Sequence, residues 1–257
     1  MENARIRLIA RADDCASSRT ANEAILAAYR NGLVRNVSVM VPCSFIEEAA
    51  EMFAGEKGLC IGLHATLNAE WDHIRWGPVL PPEQVPSLVA KDGTFFKTTK
   101  ELHENRPNIS EIMAELQAQL DKGRRLGFDF KYVDSHMFFE WVVPGLDEQI
   151  ERWAAREGLL YHMHYQKPLP RAATGGEPAD RLIAGLEAAE PGQYLFVGHP
   201  AYDTEEMRRH GNANETGAQV ARNRNGERLA FMDPRVLEYC RRNGVVPIRY
   251  DEAERLT

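Results

Sequence analysis

The chain has 257 residues, a formal net charge of −7 at pH 7, and 44% hydrophobic and 27% charged residues. That length suffices for one large α/β domain with a sizeable core, and the acidic balance argues against nucleic acid, which demands a basic face. No run approaches the ~18–20 apolar residues of a membrane span, and the N-terminus carries no charged-then-apolar leader, so the expectation is a cytoplasmic protein with no membrane contact.

Strand and helix signals alternate along the chain. Arg5–Ala10 reads as a strand that runs into Asp13 and Asp14. Ser18–Asn31 reads as a helix capped by Ser17 or Ser18, with Ala24, Ile25, Ala28 and Tyr29 as its apolar stripe. Gly32 is expected to end that helix with a positive φ. Asn36–Val41 is strand-like, Phe45–Phe53 a short helix, and Leu59–His64 a third strand.

Residues 65–108 break the rhythm. They carry Trp71, Trp76, Pro78, Pro81, Pro82, Pro86 and Gly93, and they are too long for a plain loop, so they are expected to form a functional insertion or lid. Beyond them, Ser110–Leu126 reads as a helix capped by Ser110, Asp129–Ser135 as a strand and Gly145–Arg156 as a helix. Leu159–Met163 reads as a strand, Gly176–Ala189 as a helix and Gln193–Gly198 as a strand. Residues 200–232 read as an irregular polar loop over the site, before a helix at Asp233–Asn243 and a last strand at Val245–Arg249. Seven strands in such alternation imply a parallel sheet, and the number fits a single (β/α) barrel, complete or incomplete, better than an open sheet.

Four of these strands stop on chemistry. The first ends on Asp13-Asp14, the third on His64, the fourth on Asp134-Ser135-His136, and the sixth on His199-Pro200. Catalytic groups in parallel α/β folds converge at the C-terminal strand ends. Asp14, His64 and His136 form a mixed set suited to a divalent ion with an open position for water. Asp13 is then free to act as general base on that water, and His199 could protonate a leaving amine or hold an oxyanion. Asp134 either caps a turn or orients the His136 imidazole.

Other residues carry less. The four cysteines form no CxxC pair; Cys43 and Cys60 read as buried thiols, and Cys15 as packing beside the Asp pair rather than a nucleophile. His162 and His164 alternate along one predicted strand and would share a face, whereas His73, His103 and His210 read as solvated. Trp71, Phe138, Trp141 and Tyr202 lie in predicted loops beside the strand ends, where aromatic faces can stack on a sugar or pack the insertion onto the barrel. There is no Gly-rich phosphate loop, which disfavours phosphate-ester chemistry.

Four segments in order resemble the motifs of the YdjC-like carbohydrate deacetylases, the family that includes the chitooligosaccharide deacetylases. They are Arg11-Ala12-Asp13-Asp14 with Asn22, Gly62-Leu63-His64-Ala65-Thr66-Leu67, Asp134-Ser135-His136 and His199-Pro200-Ala201-Tyr202. The resemblance spans about residues 7–250. It implies a distorted, polysaccharide-deacetylase-like (β/α) barrel and a divalent ion on Asp14, His64 and His136, magnesium first, with zinc, manganese or cobalt as alternatives. It further implies Asp13 as base, His199 as acid, removal of acetyl from an N-acetylated amino sugar or oligosaccharide, and a homodimer. The chain departs from the family at Cys15-Ala16, at Met137-Phe138-Phe139 and at Ala201, all on the substrate side. A metal-dependent hydrolase of another amide or ester, or an inactive sugar-binding protein, are the competing expectations.

Overall fold

A computed structural model describes residues 5–170 and 176–256. Its strands are β1 (Ile6–Cys15), β2 (Asn36–Val39), β3 (Cys60–Ala65), β4 (Phe130–Ser135), β5 (Leu160–Tyr161), β6 (Gly192–Gly198) and β7 (Val245–Ile248). The helices are α1 (Arg19–Asn31), α2 (Ile46–Phe53), α3 (Thr99–Glu104), α4 (Ile109–Arg125), α5 (Leu146–Glu157), α6 (Pro178–Ala188), α7 (Gly217–Met232) and α8 (Pro234–Arg242).

All strand pairs are parallel, in the order β5-β4-β3-β2-β1-β6, with β7 also on β1. One edge of β1 pairs with β6 from Ile6 to Ala12. Its other edge is shared: β7 takes Ile6–Ile9, and β2 takes Arg11 onward. Asn36 stitches that junction. Its Nδ2 donates to the Ile248 carbonyl at 2.9 Å, and its Oδ1 accepts from the Tyr250 N–H at 2.8 Å. At the far side, the chain leaving β5 reaches the free edge of β6, where Leu195 N–H donates to the Lys167 carbonyl at 2.8 Å. Pro168 pairs with Leu195 there, so the curled sheet closes through an interrupted strand. This is the (β/α) barrel that the alternation of elements implied, distorted as the family resemblance implied.

The period of two along a strand sorts β1 into two faces. Leu8, Ala10 and Ala12 point outward to the main core under the helices, while Ile9 points inward to a small cluster with Cys60, Tyr132, Ile248 and Tyr250. By the same alternation Arg11 and Asp13 follow Ile9 into the barrel. Its interior is therefore apolar at the floor and polar at the C-terminal ends of the strands.

Several sequence expectations are corrected. Residues 200–232 are not an irregular loop, because α7 fills their second half. Thr216 and Gln219 form a capping box at its start. Its barrel-facing side chains include Arg224 and Glu227, so it shows no continuous apolar stripe. Gly32 has an extended φ of −146° rather than a positive one. It is glycine because a Cβ would lie 2.3 Å from the Phe231 carbonyl oxygen. Asn108, not Ser110, caps α4. β5 stops at Tyr161, and His162–His164 form a 3₁₀ turn instead of extending it, so the two histidines share no strand face. His162 is buried and His164 only partly so.

The insertion at 65–108 is packed, not open. Trp76 Nε1 donates to the Asn68 carbonyl at 2.8 Å, and Phe95, Leu88 and Val85 are fully buried. Glu115 of α4 accepts the backbone N–H groups of Val79 and Leu80 at 2.8 and 3.0 Å, tying the insertion to the barrel.

Gly62 leaves room for Tyr132, whose ring would lie 2.3 Å from a Cβ added there. That ring cannot retreat, since it stacks on Tyr250 at 4.2 Å and bonds Ser38 at 2.9 Å. Gly62→Ala is therefore expected to destabilise the protein by about 1–3 kcal/mol, read as a lower urea midpoint at unchanged slope.

Candidate active site

The backbone turns sharply where β1 ends. Asp14 and Ala16 have φ of 62° and 77°, in the left-handed region that non-glycine residues rarely occupy. Asn22 of α1 holds the turn by accepting the Ala16 N–H at 2.8 Å. The turn swings Asp14 to the same end of the barrel as Asp13, although neighbours on a regular strand point to opposite faces. Cys15 between them is buried, with Sγ 3.5 Å from Asn22 Oδ1, and burial pushes its thiol well above the ordinary range. It packs and does not react.

Asp14, His64 and His136 converge. Asp14 Oδ1 lies 3.5 Å from His64 Nε2 and 3.4 Å from His136 Nδ1, and one ligand atom from each residue falls within 4.8 Å of the others. Oδ1 is buried without a hydrogen-bond partner. A buried carboxylate oxygen facing two imidazole nitrogens is the donor set of a divalent cation, so these residues fit one.

Every other polar atom of the three is occupied. Arg224 of α7 donates Nη2 to Asp14 Oδ2 at 2.7 Å, which leaves Oδ1 alone facing the imidazoles. His64 Nδ1 bonds Asp134 Oδ2 at 2.9 Å, which directs Nε2 inward. His136 Nε2 bonds Glu70 Oε2 at 2.9 Å, which directs Nδ1 inward. Acidic partners of this kind fix the tautomer and raise the basicity of a ligating histidine. Asp134 thus serves His64, not the His136 beside it in sequence.

A second cluster, Asp13, His64 and Asp134, also brings its atoms within 4.8 Å, but it already holds a cation. Arg11 donates Nε and Nη2 to the two oxygens of Asp13 at 2.7 and 2.8 Å, and its Nη2 lies 3.1 Å from Asp134. All three side chains are buried.

His199 follows β6. Its backbone N–H donates to Glu227 Oε2 at 2.6 Å, and its ring Nδ1 lies 3.5 Å from the same oxygen. Burial disfavours its charged form, but the bond to Glu227 and the charge of Asp14 outweigh it and raise its pKa.

The aromatics divide. Trp71 does not offer a free face: it is buried, with the Arg224 guanidinium 5.6 Å from its ring centroid and His210 meeting its edge. His210 is buried with it, not solvated. Tyr202 carries the Arg228 guanidinium on one face at 4.4 Å. Phe138 and Trp141 are exposed and stacked on one another, 4.4 Å apart. Met137 and Phe138 take φ of 61° and 53°, so the chain turns tightly after His136 and lifts this pair outward while Phe139 stays in the core.

Glu70, Arg224 and Glu227 escaped sequence reasoning, as did the pairing of Arg11. Glu70 lies six residues beyond His64 in the insertion, and nothing local marks it. For Arg224 and Glu227 the Thr216-x-x-Gln219 box was the available signal.

A parallel (β/α) barrel with Asp and His side chains gathered at its strand ends is the architecture of a hydrolase. The family model described as YdjC-like protein matches residues 7–242, and the chain belongs to that family. A carbohydrate deacetylase of Thermoanaerobacter pseudethanolicus is 25% identical over 95% of this chain and 97% of its own length. One from Geobacillus stearothermophilus is 27% identical over 96% of this chain and 98% of its own. Among solved structures, a proposed cellobiose-phosphate cleavage protein of Enterococcus faecalis V583 superposes with a TM-score of 0.79 at 19% identity, over 97% of this chain and 99% of that one. The catalytic domain of a peptidoglycan N-acetylglucosamine deacetylase from Eubacterium rectale gives 0.52 at 10% identity, over 96% of this chain and 89% of that one. At these identities the superpositions establish the fold alone.

Without a metal, both imidazoles are charged near neutrality. Burial opposes this, but Asp134, Asp13 and Asp14 hold His64 at about 10, and Glu70 with Asp14 holds His136 at about 9. Both must deprotonate to ligate, so metal uptake near pH 7 is expected to release roughly two protons per ion and to weaken as pH falls. Calorimetry in buffers of different ionisation enthalpy reads that number; uptake without proton release would refute it.

Proposed function

We propose that this protein is a metal-dependent carbohydrate deacetylase, which hydrolyses the acetamide of an N-acetylated amino sugar or oligosaccharide and releases acetate. The observation that carries this reading is the unpartnered, buried Asp14 Oδ1 facing His64 and His136, with Asp13 on the adjoining residue. Near-full-length relatives named carbohydrate deacetylase support it.

A divalent ion bound by Asp14, His64 and His136 supplies polarisation of the acyl carbonyl and a more acidic water. Magnesium follows the family resemblance; one carboxylate and two imidazoles suit zinc, manganese or cobalt equally. Asp13 takes the proton of the attacking water. Each of its oxygens gives one lone pair to Arg11 and keeps another for that proton. An amine leaves only when protonated, and His199 is the donor. Its Nδ1 faces Glu227, so Nε2 is the nitrogen free to deliver the proton to the departing sugar amine. The exposed Phe138–Trp141 stack, two residues beyond His136, offers the apolar face of a sugar ring a surface to lie on.

The test is acetate release from a panel of N-acetylated mono- and oligosaccharides by protein stripped of metal and reloaded with each divalent ion. Asp13→Asn is expected to lose at least about a hundredfold in turnover while binding metal as before. An unchanged rate in that variant would falsify the assignment of Asp13.

His199 works as the imidazolium. Its raised pKa keeps it protonated above the ordinary histidine range, and activity is lost as pH rises through that value. Glu227→Gln removes the carboxylate that holds the proton, so the alkaline limb of kcat against pH is expected to move to lower pH. A limb that stays in place would show that another group sets it.

A further inference from the structure

Below the metal-binding side chains, the polar part of the barrel interior is organised around Arg11. Two of its nitrogens serve Asp13 and Asp134, and the third, Nη1, donates to the Tyr250 hydroxyl at 3.1 Å. That hydroxyl donates in turn to Gln166 Oε1. Gln166 Nε2 donates to His162 Nδ1 at 3.0 Å. Accepting at Nδ1 puts the proton of a neutral His162 on Nε2. His162 is neutral because burial, and then the nearby Arg11 charge, push its pKa down to about 3.

His162 Nε2 is a buried donor with no partner, and Asp134 Oδ1 is a buried acceptor with no partner. The strand register brings the two residues together. Tyr132 pairs with Leu160 and Val133 with Tyr161, so Asp134 and His162 are the next positions across β4 and β5. One water between a donor and an acceptor so placed would satisfy both. Such a water would close the hydrogen bonds into a ring: Arg11, Tyr250, Gln166, His162, Asp134 and back to Arg11.

We propose that His162 and Tyr250 are positioning residues for the reaction: the ring through Gln166 holds Arg11 against Asp13 and Asp134 together, and so sets the general base and the orientation of His64 in one rigid unit. Neither touches substrate. This rests on the roles given above to Asp13 and His64. It explains why His162 and Tyr250 are buried, with Gln166 partly buried between them, inside a barrel whose floor is otherwise apolar, since a buried polar network is tolerated only when its members are paired.

Two variants of the full-length protein test it. Tyr250→Phe keeps the ring on Tyr132 and deletes only the hydroxyl. It is expected to lower kcat about tenfold with KM within about twofold. His162→Ala frees Asp134 and is expected to weaken Mn²⁺ binding, read by electron paramagnetic resonance or calorimetry, by about tenfold. The double variant is expected to lose little more in kcat than the worse single one, because both open the same ring. Lower melting temperatures with wild-type kcat and Mn²⁺ affinity per folded molecule would overturn the proposal, as would losses that multiply. If His162→Ala fails to fold, the KM-against-kcat split of Tyr250→Phe decides. If the wild-type protein releases no acetate from any sugar, the functional reading fails, and the Mn²⁺ affinities still decide the ring.

Discussion

The Arg11 guanidinium is the interaction on which the site depends. Asp13 and Asp134 are buried carboxylates within a few ångströms of one another, and two buried acidic groups so placed need a shared cationic partner. Arg11 lies between them, bidentate on Asp13 and in contact with Asp134, so the charges are neutralised with the planar geometry that makes such burial tolerable. A lysine would offer a point charge in place of this fork. The ordering is dictated by strand geometry: Arg11 and Asp13 are two apart on β1 and therefore share its inward face.

From that fixed pair the rest of the site is assembled from separate parts of the chain. Strand ends contribute Asp14, His64 and His136, and each is oriented by a partner from elsewhere: Arg224 from α7, Asp134 from β4 and Glu70 from the insertion. Helix α7 serves both halves of the chemistry, since Arg224 holds Asp14 and Glu227, three residues on, holds His199. The polar segment that looked like a loop is thus a wall of the active site. Asn212 links that same region to the insertion by donating to the Glu70 carbonyl at 3.4 Å.

Strain is concentrated where the chemistry is. Four of the five non-glycine residues with positive φ among those described are Asp14, Ala16, Met137 and Phe138, and each is, or lies within two residues of, Asp14 or His136. Such conformations cost about 1–3 kcal/mol each and persist only where surrounding contacts enforce them. At Asp14 the gain is two adjacent carboxylates in one cavity. After His136 it is an exposed aromatic pair beside the site.

Much of this was legible beforehand. The alternation of apolar runs with capped, amphipathic segments is a local property, and it determined the parallel barrel and the placement of Asp13, Asp14, His64, His136 and His199 at strand ends. Reading failed where pattern and packing part company. The inner face of α7 mixes Arg224 and Glu227 with Val220, Ala221, Ala230 and Phe231, so no regular apolar stripe marks the helix. His162 and His210 look solvated or strand-bound in sequence, and are buried. Only the tertiary structure decided that Asp134 serves His64, that Glu70 serves His136, that Arg224 holds Asp14 and that Glu227 holds His199. The physical reason is that local propensity acts over a few residues. A hydrogen-bond partner is chosen among groups that the path of the chain brings within 3 Å, here across as many as 210 positions.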